Sequence, residues 1–142
     1  MKIKIKKLMR AVWFPLVCGS VVFLLFRFVF LFGHVPTSSM EPTLKKDSYF
    51  LGVRIYQDLN VGDIVVFEHE GRLLVKRIAA GPNDIIVRDK TSLMIPEKHY
   101  YMLGDNPDNS YDARFWDDPF ISETQIVARV IIIDSLFCYS TI

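Results

Sequence analysis

The chain has 142 residues, of which 51% are hydrophobic and 23% are charged, and this composition suits one folded domain. The apolar content excludes an intrinsically disordered chain, and two cysteines are too few for a disulfide-stapled scaffold. The net charge of +1 hides an asymmetry, because segment 1–10 is strongly basic whereas residues 34–142 are acidic overall, which argues against nucleic acid as a partner.

An apolar run, AVWFPLVCGSVVFLLFRFVFLFG, occupies residues 11–33 and contains a single charge, Arg27. As a helix it would be about 34 Å long, enough to cross a bilayer core of about 30 Å. The positive-inside rule keeps the basic residues of segment 1–10 in the cytoplasm and places the acidic remainder outside. The sequence therefore predicts a cytoplasmic segment 1–10, a transmembrane helix 11–33 and an extracytoplasmic domain 34–142.

A cleavable signal peptide is the alternative interpretation of this run. The apolar part of a signal peptide is about 7–15 residues long and ends at a small-residue cleavage site. The run here is longer, and His34-Val35-Pro36 follows it without an Ala-x-Ala pattern. These differences favour a membrane anchor.

Short runs of β-forming residues follow, separated by turn signals rich in Gly, Asn, Asp and Pro. The candidate strands are 49–53, 64–67, 73–78, 85–87, 100–103 and 126–133. No amphipathic helix longer than about three turns stands out among them. We therefore expect a mostly β fold, an antiparallel sheet or partly closed barrel, on one N-terminal transmembrane helix.

The first polar stretch after the apolar run is VPTSSMEPT, residues 35–43. Ser, Thr and Pro are common in loops, so by itself this stretch is typical of a polar exit from a membrane.

The second notable stretch places two adjacent cations, Lys76 and Arg77, inside an apolar strand pattern. Strand parity groups Lys76 with Leu74 and Ile78 but does not say which cation faces the core. One interpretation is an edge strand protected by charge. The other is a lysine desolvated among aliphatic side chains, whose lowered pKa lets the neutral amine take a proton from a serine hydroxyl.

The third stretch is GDNPDNSYDAR, residues 104–114, whose composition is typical of a tight surface loop. A calcium-binding loop is a second interpretation, because acidic and hydroxyl side chains alternate within it. Ala113 and Pro119 stand where such a loop needs Gly and Glu, so calcium is disfavoured.

Together these stretches resemble the ordered sequence boxes of bacterial type I signal peptidases, also called leader peptidases. The matching boxes are Ser39-Met40-Glu41-Pro42-Thr43, Gly62-Asp63-Ile64-Val65, Lys76-Arg77-Ile78 and the stretch from Gly104 to Arg114. Each box alone is a weak signal, but four in order behind an anchor form a strong one. The chain resembles a small member, because the segment between Lys76 and Gly104 leaves no room for the β domain that larger members insert.

The resemblance implies a membrane-anchored serine endopeptidase that cleaves signal peptides from exported preproteins at small-residue sites. Ser39 then matches the nucleophile and Lys76 the general base, while the Thr37 hydroxyl and the Ser39 backbone N–H match the oxyanion hole. The residues that match the supporting network are Ser110, Asp112 and Arg114. Those that match the substrate-binding surface are Pro36, Met40, Leu74 and Val75.

Three positions depart from the family pattern, and two further functions stay open. Pro107 stands where the family usually has Arg, Ala113 stands where Ser is common, and the run from Ala79 through Gly81 to Asp84 replaces one that normally has Gly before the Asp. The open alternatives are a dedicated peptidase of the same family that processes pilin subunits in conjugation, and a catalytically inactive membrane-tethered module that binds exported chains.

The remaining expectations concern cofactors, partners and location. The three histidines lack paired spacing for zinc and no phosphate-binding Gly loop is present, so we expect no metal, nucleotide or other cofactor. The expected partners are the signal peptides of preproteins and the lipid bilayer, with no nucleic acid. The expected location is the bacterial cytoplasmic membrane, crossed once, with the catalytic domain on its outer face.

Overall fold

The computed structural model describes the backbone of residues 2–133 and the side chains from residue 11 onward. Its helix is α1 (Lys2–Phe28). Its strands are β1 (Phe30–His34), β2 (Tyr49–Val53), β3 (Ile64–His69), β4 (Arg72–Ala80), β5 (Ile85–Arg88), β6 (Thr91–Met94), β7 (His99–Leu103), β8 (Phe120–Ser122) and β9 (Ile126–Ile133). The prediction of a mostly β, antiparallel fold behind an N-terminal helix is confirmed.

The apolar part of α1 is long enough to cross a bilayer. Its stretch Ala11–Phe28 has a mean hydropathy of 2.0, and none of it is buried against the rest of the chain. The helix ends at Phe28, before the predicted end at residue 33, and Phe30–His34 forms β1 instead. The reason is tertiary pairing: β1 bonds to β2, and Gly33 has no side chain to obstruct the Phe50 ring packed against it.

Seven strands form one antiparallel sheet in the order β1-β2-β9-β3-β4-β7-β8, and β5 and β6 form a separate hairpin. Among the described residues the two outer strands, β1 and β8, do not pair with each other. The sheet is therefore open, so of the two expected forms the antiparallel sheet is confirmed and the partly closed barrel is not. The strand at the far edge of the sheet, β8, has only three residues, which are too few to continue the hydrogen-bonded ladder to β1.

Buried side chains form two hydrophobic clusters, because β3 is covered on both faces. Its residues Ile64 to Phe67 are all buried and alternate between the clusters: Val65 and Phe67 belong to the first, Ile64 and Val66 to the second. Strand β4 lies beside β3, and the register places Lys76 directly opposite Val65. Lys76 therefore projects on the face of the first cluster, beside the apolar core.

Candidate active site

Ser39 lies in a non-helical segment that its apolar residues hold in place. Val35, Met40 and Leu44 are almost completely buried in the second cluster. The Leu44 N–H donates to the carbonyl of Met40, and the Val35 N–H donates to that of Ser48. Ser39 between them is 8% exposed. The hydroxyl is thus presented from a fixed backbone rather than from a loose loop.

Lys76 is the inward-facing cation of β4, with an exposed fraction of 4%. Its Nζ donates to Ser39 Oγ at 2.7 Å and to Ser110 Oγ at 3.0 Å. Burial lowers the pKa of Lys76, and this effect outweighs the negative charge of Asp112, which acts to raise it. The ammonium is therefore easier to deprotonate than an ordinary lysine, and its partner is a serine hydroxyl 37 positions away in the chain.

Ser110, Asp112 and Arg114 form a chain of polar contacts behind Lys76. Ser110 Oγ donates to Asp112 Oδ2 at 2.6 Å, and Arg114 Nε donates to Asp112 Oδ1 at 2.8 Å. Burial acts to raise the pKa of Asp112, but hydrogen bonds from Arg114, Ser110 and the Gly104 N–H outweigh it and hold that pKa below its ordinary value. Asp112 thus stays a carboxylate, and by accepting a hydrogen bond it fixes the direction of the Ser110 hydroxyl.

Arg77, the second cation of β4, points away from Lys76 and ties three other segments together. It donates to Asp105 through Nε at 2.8 Å and through Nη2 at 2.6 Å. It also donates to the Gly62 carbonyl at 2.6 Å and to Thr43 Oγ1 at 3.3 Å. Arg77 therefore connects the strand of Lys76 with the segment of Ser39 and the loop of Ser110.

Gly104 fills the narrow space between the segment of Ser39 and Ser110. A Cβ built on it would overlap Ser110 Oγ and come within 2.6 Å of the Ser39 carbonyl oxygen. Its N–H donates to Asp112 Oδ2 at 2.9 Å. Only glycine leaves room for the two hydroxyl-bearing segments to lie this close.

The groups matched to the oxyanion hole lie beside Ser39. Thr37 Oγ1 is 3.3 Å from Ser39 Oγ, and the Thr37 side chain is exposed. Within the described part of the chain, the Ser39 N–H donates no hydrogen bond. The Ser39 N–H is therefore available to donate to a bound molecule, whereas the Thr37 hydroxyl shares a hydrogen bond with Ser39 Oγ.

The four residues matched to substrate binding are not brought together on one surface. Pro36 is exposed, whereas Met40 is enclosed in the second cluster. Leu74 and Val75 are half-buried on opposite faces of β4 and pack against the first and second clusters respectively. Met40 is therefore not available to an accessible surface beside Ser39, whereas Pro36 is.

Residues 105 and 106 are site residues to which the sequence analysis assigned no role. They lie inside the loop 104–114, and their signal was the unbroken Gly-Asp-Asn pattern that begins it. In the structure Asp105 pairs with Arg77, and Asn106 bonds to the segment of Ser39. Among residues 2–133, no three His, Cys, Asp or Glu side chains form a group that could hold a metal ion.

Comparisons with known proteins point to one family. The sequence profile described as signal peptidase, peptidase S26, matches residues 7–98 and 87–134. The chain is 44% identical over 54 residues to signal peptidase I of Pseudomonas fluorescens, covering 38% of this chain and 16% of that protein. It is 27% identical over 133 residues to a probable signal peptidase I-2 of Synechocystis sp., covering 70% of this chain and 60% of that protein.

A third relative matches over a shorter stretch. The chain is 63% identical over 27 residues to signal peptidase I of Pseudomonas aeruginosa, covering 19% of this chain and 10% of that protein. The matched part is thus less than two thirds of the length of each of these relatives.

Proposed function

The chain belongs to the signal peptidase family, peptidase S26, and on this basis we propose that it is a membrane-anchored serine endopeptidase that cleaves signal peptides from exported preproteins. The observation that carries the proposal is the 2.7 Å contact between Lys76 Nζ and Ser39 Oγ. A serine hydroxyl is a weak nucleophile until a base takes its proton, and a buried lysine with a lowered pKa is such a base.

In the proposed mechanism Ser39 and Lys76 act as a catalytic dyad. The neutral amine of Lys76 accepts the Ser39 proton as Oγ attacks the scissile carbonyl carbon. The resulting ammonium returns that proton to the leaving amine when the peptide bond breaks, which leaves an acyl ester on Ser39. Lys76 then takes a proton from the water that attacks this ester, and it returns the proton to Ser39 Oγ as the ester bond breaks and the acid product leaves.

The supporting groups match two further needs of this reaction. In this proposal Thr37 Oγ1–H and the Ser39 N–H donate to the oxyanion that forms in the tetrahedral intermediate, which their position beside Ser39 Oγ supports. Ser110 accepts a hydrogen bond from Lys76 Nζ and donates one to Asp112, so it fixes the position of the amine. Arg114 holds Asp112 from the other side.

We also propose that α1 is anchored in the bacterial cytoplasmic membrane with the dyad near its outer surface, and the sheet register gives the distance between the dyad and the end of α1. Phe30, just past the end of α1, pairs with Val53, and the row continues through Arg129 and Val65 to Lys76. Four steps of about 4.8 Å place Lys76 about 19 Å along that row from the chain's exit from α1. A signal peptide is cut just past its own apolar segment, so two membrane-held chains would present dyad and scissile bond at similar depth.

Cleavage of a preprotein with an Ala-x-Ala site, by the full chain in detergent or liposomes, tests the proposal. We expect wild type to cut, and Ser39→Ala and Lys76→Ala to lose cleavage while remaining folded. Exposed Ser92 and Lys90 supply matched controls, and Ser92→Ala and Lys90→Ala should cut normally. Cutting by Lys76→Ala would reject Lys76 as the base.

Two other outcomes of this experiment point to different functions. Failure of wild type on general preproteins together with cleavage of a pilin precursor would indicate the dedicated peptidase. Failure on both, with binding of exported chains that Lys76→Ala leaves intact, would indicate the inactive binding module.

A further inference from the structure

Asn106 makes two hydrogen bonds to the backbone around Ser39. Its side-chain Nδ2 donates to the Ser38 carbonyl at 3.1 Å, and its backbone N–H donates to the Ser39 carbonyl at 3.1 Å. The side-chain bond joins residues 68 positions apart in the chain. Because a carbonyl oxygen can only accept, the amide end of Asn106, and not its oxygen, must face Ser38.

The Ser38 carbonyl and the Ser39 N–H belong to the same peptide unit. A trans peptide is planar, so its C=O and N–H bonds point in opposite directions. A donor that holds the Ser38 oxygen therefore also fixes the direction of the Ser39 N–H. That N–H has no acceptor within the described residues. The carbonyl oxygen of the same peptide unit accepts two hydrogen bonds, from Asn106 Nδ2 and from the Glu41 N–H, each at 3.1 Å.

We propose that Asn106 is a positioning residue of the oxyanion hole, which aims the Ser39 N–H by holding the Ser38 carbonyl. This inference rests on the proposed function, since it assigns the Ser39 N–H to the oxyanion of peptide hydrolysis. Asn106 touches neither the hydroxyl nor the amine of the dyad in the structure; it acts through the peptide between Ser38 and Ser39.

The loop that carries Asn106 is held by other contacts, so the amide is not needed to place it. Asp105 is paired with Arg77, and the Gly104 N–H is bonded to Asp112. The backbone bond from Asn106 to the Ser39 carbonyl also survives any substitution other than proline. Changing the side chain therefore removes the hydrogen bond from Asn106 to the Ser38 carbonyl, keeps the one from the Glu41 N–H, and leaves the rest of the loop anchored.

Two variants distinguish an Asn106 side chain that orients the Ser38–Ser39 peptide from one that only fills space. Asn106→Asp keeps the shape but places a carboxylate oxygen against the Ser38 oxygen, whereas Asn106→Ala removes the group. If Asn106 only fills space, Asp should be the milder change. If it aims the peptide, Asp should be at least as damaging as Ala, because the carboxylate repels the carbonyl. Asn83→Asp, at an exposed turn position, makes the same chemical change elsewhere and serves as the control.

The first measurement is steady-state kinetics of the full chain on an Ala-x-Ala preprotein, at a pH where each variant has reached its activity plateau. We expect kcat to fall about 10- to 100-fold in both Asn106 variants, because removing a whole oxyanion donor costs about 100- to 1,000-fold and here the donor is misaimed. KM should change less than about threefold, since the oxyanion exists only beyond the ground state. Asn83→Asp should match wild type.

The inhibition constant of a peptide aldehyde is a second measurement, and it should not change if Asn106 has only a packing role. The hemiacetal of the aldehyde with Ser39 carries an oxygen in the oxyanion position, so the inhibition constant should rise by the same factor as kcat falls. The affinity of a non-reactive peptide of the same sequence should stay unchanged. A rise in KM alone, an unchanged aldehyde constant, or a milder effect of Asp than of Ala would overturn the inference.

An NMR measurement distinguishes failure of the inference from failure of the proposed function. The residual dipolar coupling of the Ser39 N–H reports the direction of that bond in the full chain in detergent, with or without activity. We expect it to change in Asn106→Asp and to be preserved in Asn83→Asp. If wild type cuts no preprotein and yet this coupling changes, the function fails and the positioning stands. An unchanged coupling rejects the positioning even in an active enzyme.

Discussion

Arg77 and Asp105 form a two-bond ion pair on the face of β4 opposite the face that carries Lys76. The distances are 2.8 Å for Nε–Oδ1 and 2.6 Å for Nη2–Oδ2. Because neighbouring residues of a strand face opposite ways, one dipeptide of β4 both presents an amine to Ser39 and fastens the loop that supports it. The two cations thus have separate tasks, and each can be tested alone.

Replacing Arg77 by lysine should weaken the loop 104–114 even though the charge is kept. A lysine ammonium cannot reproduce the planar two-bond contact with Asp105, and it would also lose the bonds to Gly62 and Thr43. We expect a loss of about 1–3 kcal/mol in the free energy of unfolding, in the range of hydrogen bonds to charged groups. Urea unfolding measures it, and Arg72→Lys at an exposed position is the control.

The pH dependence of cleavage should move in opposite directions when the two charges near Lys76 are removed. Activity requires the neutral amine, so it should rise with pH, and burial places that rise below the pKa of an ordinary lysine. Asp112 raises the pKa of Lys76 and Arg114 lowers it. Asp112→Asn should therefore shift the rise to lower pH, and Arg114→Gln should shift it to higher pH.

The measurement for this prediction is kcat/KM against pH for wild type and both variants. Each variant should also lose activity at its plateau, because the chain from Asp112 to Ser110 is broken or loosened. Shifts in the same direction would contradict the assignment of Lys76 as the titrating base.

Lys76→Met should increase stability at neutral pH while abolishing activity. Burial lowers the folded pKa of Lys76 below its unfolded value of about 10.4. Between these two pKa values the unfolded chain binds more protons, so wild-type stability should rise with pH there. At pH values below the folded pKa, Lys76 is charged in the folded chain, and the full cost of burying the ammonium then lowers the stability of the wild type. The variant should lack this pH-dependent rise, and urea unfolding at several pH values measures the difference.

Gly104→Ala should separate the segment of Ser39 from Ser110. The new methyl group would collide with Ser110 Oγ and with the Ser39 carbonyl, and overpacking of this kind costs about 1–3 kcal/mol. We expect cleavage to fall at least about tenfold, because a displacement of about 1 Å can cost a hundredfold. Gly81→Ala is the matched control, since its Cβ would make only ordinary contacts at 3.8 Å. Equal activity of the two variants would contradict the prediction.

Strand positions were predictable wherever several β-forming residues alternate or run together. The candidates 49–53 and 126–133 agree with β2 and β9 at both ends. Strands β3, β5 and β7 extend their candidates by one or two residues at one end, and β4 extends its candidate by one residue at the start and two at the end. The unpredicted strands are β1, hidden in the apolar run, and β6 and β8, which are too short to show a period. Local patterns cannot predict these three, because tertiary pairing decides them.

By itself, the sequence determined the class of the molecule: a basic segment, an apolar helix and a β domain carrying four ordered motifs. These features depend on composition and local order, which the chain carries without folding. Only the tertiary structure decided which cation of β4 faces Ser39. Alternation along the strand puts Lys76 and Arg77 on opposite faces, but only the packing of the folded chain decides that Lys76 is the buried one. The tertiary structure also decided that Asn106 reaches Ser38, since a bond across 68 positions exists only once the strands have paired.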